Sequence, residues 1–175
     1  MVDLKFEPTA QVPPQNLDVE EIVLGGILGD ANAFPRIKDI LSPFDFYLKA
    51  HQSIYSVMVD LGAASKPIDP ITVTSALADL NLLDQIGGQS RIGDLYGRFP
   101  GSINIDLHAE ILCRKSRDRK LIQFGHSVIA LGHQSHKTED EIGLELTEGF
   151  NRILSLQTQA SGELIPMSTI GILQG

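Results

Sequence analysis

The chain has 175 residues, which is enough for one domain or for one domain with an appendage. Its apolar fraction of 42% supports a hydrophobic core, but no apolar run approaches the roughly 18–20 residues of a membrane span. The net charge of −8 argues against broad binding to nucleic-acid phosphates, which requires clustered lysine and arginine. With Cys113 as the only cysteine and no signal-peptide pattern at the start, we expect a cytoplasmic protein without a disulfide.

The first half of the chain predicts a group of helices. Residues 1–12 are polar and bounded by prolines, which predicts a disordered leader, and residues 13–100 follow as a globular helical head. Asn16 is the expected N-cap of the first helix, because its side chain can accept unpaired backbone amides. The apolar face of this helix comprises Val19, Ile22, Val23 and Ile27. Gly25 and Gly26 weaken an isolated helix by about 1 kcal/mol each, so we expect them to admit a closely packed neighbour.

Four further helices are predicted in the head, over residues 31–41, over 48–61, from 70 onward and over 89–98. Pro35 must lie in the first turn of the helix over 31–41, and Gly62 is expected to end the helix over 48–61. Asp69 is the expected N-cap of the helix that begins with a proline. The apolar stripe of that helix comprises Val73, Leu77 and Leu80. Gly87 and Gly88 predict a turn.

Residues 101–157 predict a helical hairpin. Its first helix is expected over 103–131 and its polar turn over 132–137, after which Thr138 and Glu141 form a capping box. The apolar stripe of the second helix comprises Ile142, Leu146, Phe150, Ile153 and Leu156. A hairpin that projects from a small head cannot bury both apolar faces, so we expect self-association; folding back onto the head is the alternative.

A basic cluster interrupts the acidic background of the chain. Asp118 is the only acid among five basic residues: Arg114, Lys115, Arg117, Arg119 and Lys120. A solvated helix face is the expected interpretation. The alternative is a contact surface for an acidic partner or for DNA.

Nucleotide chemistry is not supported by the sequence. A phosphate-binding loop requires a glycine followed by a lysine, and this pair occurs nowhere in the chain. We therefore predict that the chain itself neither binds nor hydrolyses ATP.

Other reactive side chains have structural interpretations. We expect His51 to be a buried, hydrogen-bonded histidine, and Cys113 to occupy an ordinary helix position, with a pKa lowered by its basic neighbours as the alternative. The histidines near the hairpin turn are expected to be solvated rather than to bind zinc: His126, His133 and His136. The acidic residues of the first helical turn are expected to favour the helix dipole: Asp18, Glu20 and Glu21.

An ordered series of motifs resembles the N-terminal domain of DnaB-type bacterial replicative DNA helicases. The series begins with residues 13–30 and extends to about residue 157. It continues with Asp45-Phe46-Tyr47, His51, Ile54-Tyr55, Pro67-Ile68-Asp69, Gly87-Gly88, Pro100 and Asn104. Each motif is short, but their order along the chain is specific. The resemblance implies an all-α fold, with a small helical bundle followed by a helical hairpin, and residues 158–175 as the start of an interdomain linker.

The resemblance also implies a role in DNA replication. In that family the domains pair through their hairpins, form a collar of three dimers on a hexameric ring and offer a docking surface for primase. Carried onto matching positions, the partner-binding residues are Asp18, Arg91, Ile122 and Val128. The apolar stripes of the hairpin supply the expected dimer-interface residues: Ile111, Ile142, Leu146, Phe150 and Ile153. Arg91 stands where the family often has an aromatic residue, and His108 stands where a tyrosine is common.

The same resemblance places cofactors outside this chain. ATP and Mg would belong to a C-terminal ATPase domain of the parent helicase. A helicase loader is another partner that the resemblance leaves open. Direct contact of this domain with DNA is expected to be weak or absent. Two alternatives remain at this point: a free-standing truncated regulator that pairs with full-length subunits, and a weak DNA-binding module.

Overall fold

A computed structural model describes residues 12–98, 101–133 and 137–160 of the chain. These ranges contain eight α-helices, a single 3-10 turn at Pro43–Asp45 and no strand, which confirms the predicted all-α fold. The helices are α1 (Leu17–Gly29), α2 (Ala33–Ile37), α3 (Lys49–Ala63), α4 (Pro70–Asp79), α5 (Leu83–Ile86), α6 (Ser90–Gly97), α7 (Ile105–Gly132) and α8 (Glu139–Ala160). None of the helices in the described ranges combines the length and apolar character of a membrane span.

The core of the head is built around α1, which packs against α2, α3, α6 and α7. Its buried side chains include Val23, Leu24 and Ile27, and they meet fully buried residues of the surrounding helices such as Tyr55 and Leu95. A Cβ atom on Gly26 would lie 3.1 Å from Cδ1 of Ile105. The expected close approach of a neighbouring helix is therefore confirmed at Gly26, and the neighbour is α7.

The predicted helix starts are confirmed by hydrogen bonds. The Asn16 side chain accepts from the backbone N–H of Val19 at 3.2 Å. Asp69 accepts from the backbone N–H groups of Ile71 and Thr72, both at 2.9 Å, with Pro70 at the first helical position. Each cap satisfies amides that have no partner inside the helix.

The segment after α1 differs from the prediction. α2 covers only Ala33–Ile37, with Pro35 in its first turn, and the chain continues as turns up to residue 40. Ser42 then begins the 3-10 turn, and its backbone N–H donates to the Asp45 side chain at 2.8 Å. Ser42 thus starts a new element as well as ending the preceding segment.

Gly62 and Leu80 also differ from their predicted roles. Gly62 does not end α3, which continues to Ala63; a Cβ atom there would overlap the Phe34 ring, so this glycine makes room for packing. Leu80 follows the last residue of α4 and is 55% exposed, so it does not extend the apolar stripe of that helix.

The hairpin is anchored to the head by the first half of α7. Ile105, Ala109 and Leu112 of this half are buried, and α7 packs on α1, α2 and the 3-10 turn. The second half of α7 pairs with α8. The capping box is confirmed, because Thr138 N–H donates to Glu141 Oε2 at 2.8 Å and Glu141 N–H donates to Thr138 Oγ1 at 3.3 Å. The first half of α7 thus packs on the head, whereas α8 packs on α7.

α8 extends three residues beyond the predicted end, to Ala160. Three predicted features lie wholly or mostly outside the described residues: the leader, the centre of the hairpin turn with His136, and the linker after residue 160.

Candidate partner-binding surface

The second half of α7 presents an exposed apolar face. Leu121, Ile122, Val128 and Ile129 are between 37% and 54% exposed. At about 100° per residue, these four side chains and Gly125 fall within roughly 120° of helix circumference. A Cβ atom on Gly125 would have nothing within 4 Å. We call these five residues the outer face of α7; the described part of the chain leaves the middle of this face uncovered.

Two predicted partner-binding residues lie at the edges of the outer face. Ile122 is 45% exposed and Val128 is 37% exposed, on opposite sides of Gly125. Because they are six residues apart, their directions differ by about 120°. A single flat partner cannot cover both side chains equally.

The predicted dimer-interface residues occupy different environments. Phe150 is 54% exposed, whereas Ile142 and Leu146 are half-buried. Ile111 packs partly against the core of the head, and Ile153 is 9% exposed. Ile153 also lines a groove of about 410 Å³ between α7 and α8, together with Phe124 and Gly149 among others. Several of the predicted dimer-interface residues therefore already pack against other side chains of the same molecule.

Arg91 lies in a network of charged groups that joins α1, α3 and α6. Its Nη2 atom donates to Glu21 Oε1 at 2.6 Å and lies 3.0 Å from His51 Nε2. His51 Nδ1 lies 2.7 Å from Glu20 Oε2, and Arg98 pairs with Glu21 at 2.7 Å. We call Glu20, Glu21, His51, Arg91 and Arg98 the charged network.

The charged network corrects the prediction for the acidic residues of α1. Glu20 is only 1% exposed and accepts from the backbone N–H of Tyr47 at 2.5 Å, so its role is not limited to the helix dipole. Burial acts to raise the pKa of Glu21, but the hydrogen bond and charge of Arg91, helped by Arg98, hold that pKa below its ordinary value. A signal for Glu20 exists in the sequence, since it shares a helix face with Val23 and Ile27.

The other two partner-binding positions share the α1–α6 side of the head. Asp18 is exposed and lies one helical turn before Glu21, which pairs with Arg91. The predicted set therefore divides into two surfaces: Asp18 with Arg91, and Ile122 with Val128. The prediction that His51 is buried and hydrogen-bonded is confirmed.

Two residues of the basic cluster, Arg119 and Lys120, brace α7 against the head. Arg119 donates to the backbone oxygens of Pro14 at 2.9 Å and Asp45 at 2.7 Å, and its guanidinium lies 5.8 Å from the centre of the Tyr47 ring. Lys120 pairs with the Asp45 carboxylate at 3.3 Å. The solvated face that the sequence predicts is thus wrong for these two cations, although Arg114 and Arg117 are exposed.

Cys113 is an ordinary packed residue. Its thiol donates to the Ile40 carbonyl at 3.4 Å, and burial raises its pKa to about 11. The alternative of a thiol activated by basic neighbours is therefore wrong. His126 and His133 are exposed, and the described residues contain no cluster of three or more side chains that could hold a metal ion.

Comparison with known proteins decides the family. The model for the DnaB-like helicase N terminal domain matches residues 12–114. The chain belongs to the DnaB-like helicase N-terminal domain family. The resemblance seen in the motifs is thereby confirmed.

Relatives of this DnaB-type domain are much longer proteins. The chain is 38% identical over 157 residues to the replicative DNA helicase DnaB of Synechocystis sp., covering 90% of this chain and 18% of that protein. It is 36% identical over 146 residues to the replicative DNA helicase DnaC of Bacillus subtilis, covering 83% of this chain and 32% of that protein. The chain thus spans about a fifth to a third of these relatives.

Two solved structures share the fold. The N-terminal domain of DnaB helicase from Mycobacterium tuberculosis has a TM-score of 0.77 and 31% identity, covering 81% of this chain and 99% of that one. A DnaB-like replicative helicase, described with its interactions with primase, has a TM-score of 0.63 and 25% identity, covering 80% of this chain and 31% of that one.

Proposed function

We propose that this DnaB-type domain is an assembly and docking module of a replicative DNA helicase. It pairs with a second copy through its hairpin, contributes to a collar of three dimers on a hexameric ring, and offers primase a docking surface. ATP hydrolysis, with ATP and Mg, belongs to a C-terminal domain of the parent helicase. The uncovered outer face of α7 is the observation that carries this proposal.

The composition of the outer face supports a contact with another helix. Four half-exposed aliphatic side chains along one face of a helix favour burial against a partner. Gly125 lowers the stability of an isolated helix by about 1 kcal/mol. Since no side chain of the described residues approaches its missing Cβ, its small size is available for close contact with a second molecule.

The charges of the hairpin support an antiparallel pairing of two copies. The tip half of α8 carries exposed acids at Glu139, Asp140, Glu141, Glu145 and Glu148. The base of α7 carries exposed Arg114 and Arg117. In a two-fold antiparallel pair the tip of one hairpin meets the base of the other, so opposite charges face each other.

Primase docking is supported by the fold comparison and by the positions of Ile122 and Val128. The helicase described with primase interactions shares this fold at 25% identity. Because Ile122 and Val128 point about 120° apart, one can face the second copy while the other meets primase.

Self-association is tested with Ile129→Asp, which places a charge on the outer face where burial would leave it unpaired. We expect sedimentation to show a concentration-dependent dimer for the parent chain and a monomer for Ile129→Asp. Ile71→Asp is the matched control, because Ile71 is 83% exposed on α4 in the head. Leu146 is a poorer site for this test, since it is half-buried within the chain's own hairpin. A parent chain that stays monomeric at high concentration would contradict the proposal.

Docking is tested with Ile122→Ala and Val128→Ala, titrated with the C-terminal region of the cognate primase. One variant should lose dimerisation, and the other should dimerise normally and bind primase more weakly by about 1–3 kcal/mol. Arg91→Ala should also weaken primase binding without unfolding the head. If all three variants bind primase like the parent chain, the docking role fails and only the assembly role survives.

A further inference from the structure

The protonation state of His51 follows from its two neighbours. The ring is fully buried, with Nδ1 at 2.7 Å from Glu20 Oε2 and Nε2 at 3.0 Å from Arg91 Nη2. A guanidinium can only donate, so Nε2 must accept and cannot carry a proton. The ring proton therefore sits on Nδ1 and is donated to Glu20, which makes His51 a neutral imidazole of one defined tautomer.

Glu20 fixes that tautomer. Its carboxylate is 1% exposed and accepts from the backbone N–H groups of Tyr47 at 2.5 Å and Leu48 at 3.4 Å as well as from His51. All three neighbours donate, so the carboxylate acts only as an acceptor. A series of hydrogen bonds thus connects the backbone before α3 to Glu20, Glu20 to His51, and His51 to Arg91.

Of the hydrogen-bonded residues Glu20, His51 and Arg91, only Arg91 reaches the surface. Its side chain is 24% exposed, and its Nη2 hydrogens are shared between Glu21 Oε1 and His51 Nε2. Two acceptors in different directions fix the plane of a guanidinium more tightly than a single carboxylate does.

We infer that His51 is a positioning residue, which holds the Arg91 guanidinium in one orientation on the α1–α6 side through its Nε2 lone pair. The consequence for partner binding rests on the proposed docking function, in which Arg91 contacts primase. The hydrogen-bond geometry of the free domain does not rest on it. In this scheme Glu20 acts through His51, and Glu21 acts directly on Arg91.

The positioning role of His51 depends on which ring nitrogen carries the proton. A proton on Nε2 instead of Nδ1 would remove the acceptor for Arg91, and Arg91 would then be held by Glu21 alone.

Two substitutions separate the two sides of the ring. In His51→Asn, the side-chain amide N–H can take the position of Nδ1 and donate to Glu20, but the shorter side chain has no acceptor at the Nε2 position for Arg91. His51→Gln can place an amide oxygen at the position of Nε2 for Arg91 but loses the donor to Glu20. NMR of arginine-labelled protein reports whether rotation of the Arg91 guanidinium is slowed, and titration with the primase C-terminal region reports binding.

We expect His51→Gln to retain slow Arg91 rotation and to bind primase within about twofold of the parent chain. His51→Asn should lose slow rotation and bind about tenfold more weakly, the usual scale for loss of a charged hydrogen bond. Equal behaviour of the two variants, or unchanged Arg91 signals in both, overturns the inference. If both variants fail to fold, NMR of the parent chain decides: the His51 ring must carry its proton on Nδ1 with Nε2 as an acceptor, and the Arg91 guanidinium must rotate slowly. A proton on Nε2, or a freely rotating Arg91, overturns the inference.

The two proposals fail separately. If the parent chain does not bind the primase C-terminal region, the docking function is wrong, yet the Arg91 signals still confirm or refute the positioning role of His51.

Discussion

At Gly62 the backbone of α3 lies directly against the Phe34 ring, and a Cβ atom would overlap that ring. Gly62→Ala should therefore destabilise the domain by about 1–3 kcal/mol, the usual range for overpacking a core. Gly93→Ala is the matched control, since nothing lies within 4 Å of its Cβ position on α6, and it should be neutral or stabilising by up to about 1 kcal/mol. Urea unfolding of both variants measures the difference. Equal stabilities would show that Phe34 moves aside without cost.

Single residues were predictable where their chemistry acts locally. Asn16 and Asp69 cap helices within three residues of their own position, and both were predicted correctly. Gly62 and Glu20 were misinterpreted because their partners lie 27 or more residues away along the chain, at Phe34, Tyr47 and His51. A glycine near a helix end and an acid in a first turn have local explanations that conceal such distant contacts.

At the level of helices, the start of α4 depends on a charged cap. The backbone and side-chain hydrogen bonds from Thr72 hold the pKa of the Asp69 carboxyl below its ordinary value. A lowered folded-state pKa means that the charge stabilises the fold above the unfolded-state pKa and that this contribution disappears as the pH falls through the folded-state value. The cap should therefore be at full strength at neutral pH and weaken below about pH 4.

Three proteins test this cap in thermal unfolding at neutral and acidic pH. Asp69→Ala should lose about 1 kcal/mol at pH 7, and Asp69→Asn should lose less, because asparagine is also a good N-cap. The difference between the parent chain and Asp69→Asn should shrink as the pH is lowered to about 3. A difference that is the same at both pH values would mean that the charge of Asp69 contributes nothing to the cap.

Helices of two or more turns were predictable, and shorter ones were not. α3, α4, α7 and α8 repeat apolar residues over ten or more positions, and their existence was predicted with ends displaced by a few residues. α5 has four residues, too few for a repeat, and was missed. α2 is five residues long where eleven were expected. The apolar residues after Ile37 pack against the core from a turn segment instead of continuing the helix.

For the whole molecule, the sequence predicts the family and the fold better than the surfaces. Most of the motif series lies within residues 12–114, which the family model matches, so the all-α head and the start of the hairpin were predictable. The division of the partner-binding residues between the outer face of α7 and the charged network was not predictable, since it depends on how α6 packs against α1. The bracing role of Arg119 likewise requires Pro14 and Asp45 to be brought together.

An antiparallel pairing of hairpins makes a prediction about charge reversal. Arg114→Glu with Arg117→Glu would place acidic side chains against the acidic tip of the second copy's hairpin. Glu145→Lys with Glu148→Lys would place lysines against Arg114 and Arg117 of the second copy. Each double variant should dimerise about tenfold more weakly than the parent chain, because several exposed ion pairs of up to about 1 kcal/mol each become repulsive. Combining all four substitutions in one chain should restore dimerisation, since opposite charges again face each other across the two-fold axis.

Sedimentation equilibrium at low salt measures these four chains, and added salt should reduce the differences among them. A parallel pairing gives a different result: like charges would face like charges before and after reversal, so all four chains would associate equally. The loss in each double variant and the recovery in the combined variant therefore separate the antiparallel arrangement from the parallel one. A combined variant as weak as the double variants would mean that these charges act within each hairpin, as Lys137 and Glu145 already do, and not between two copies.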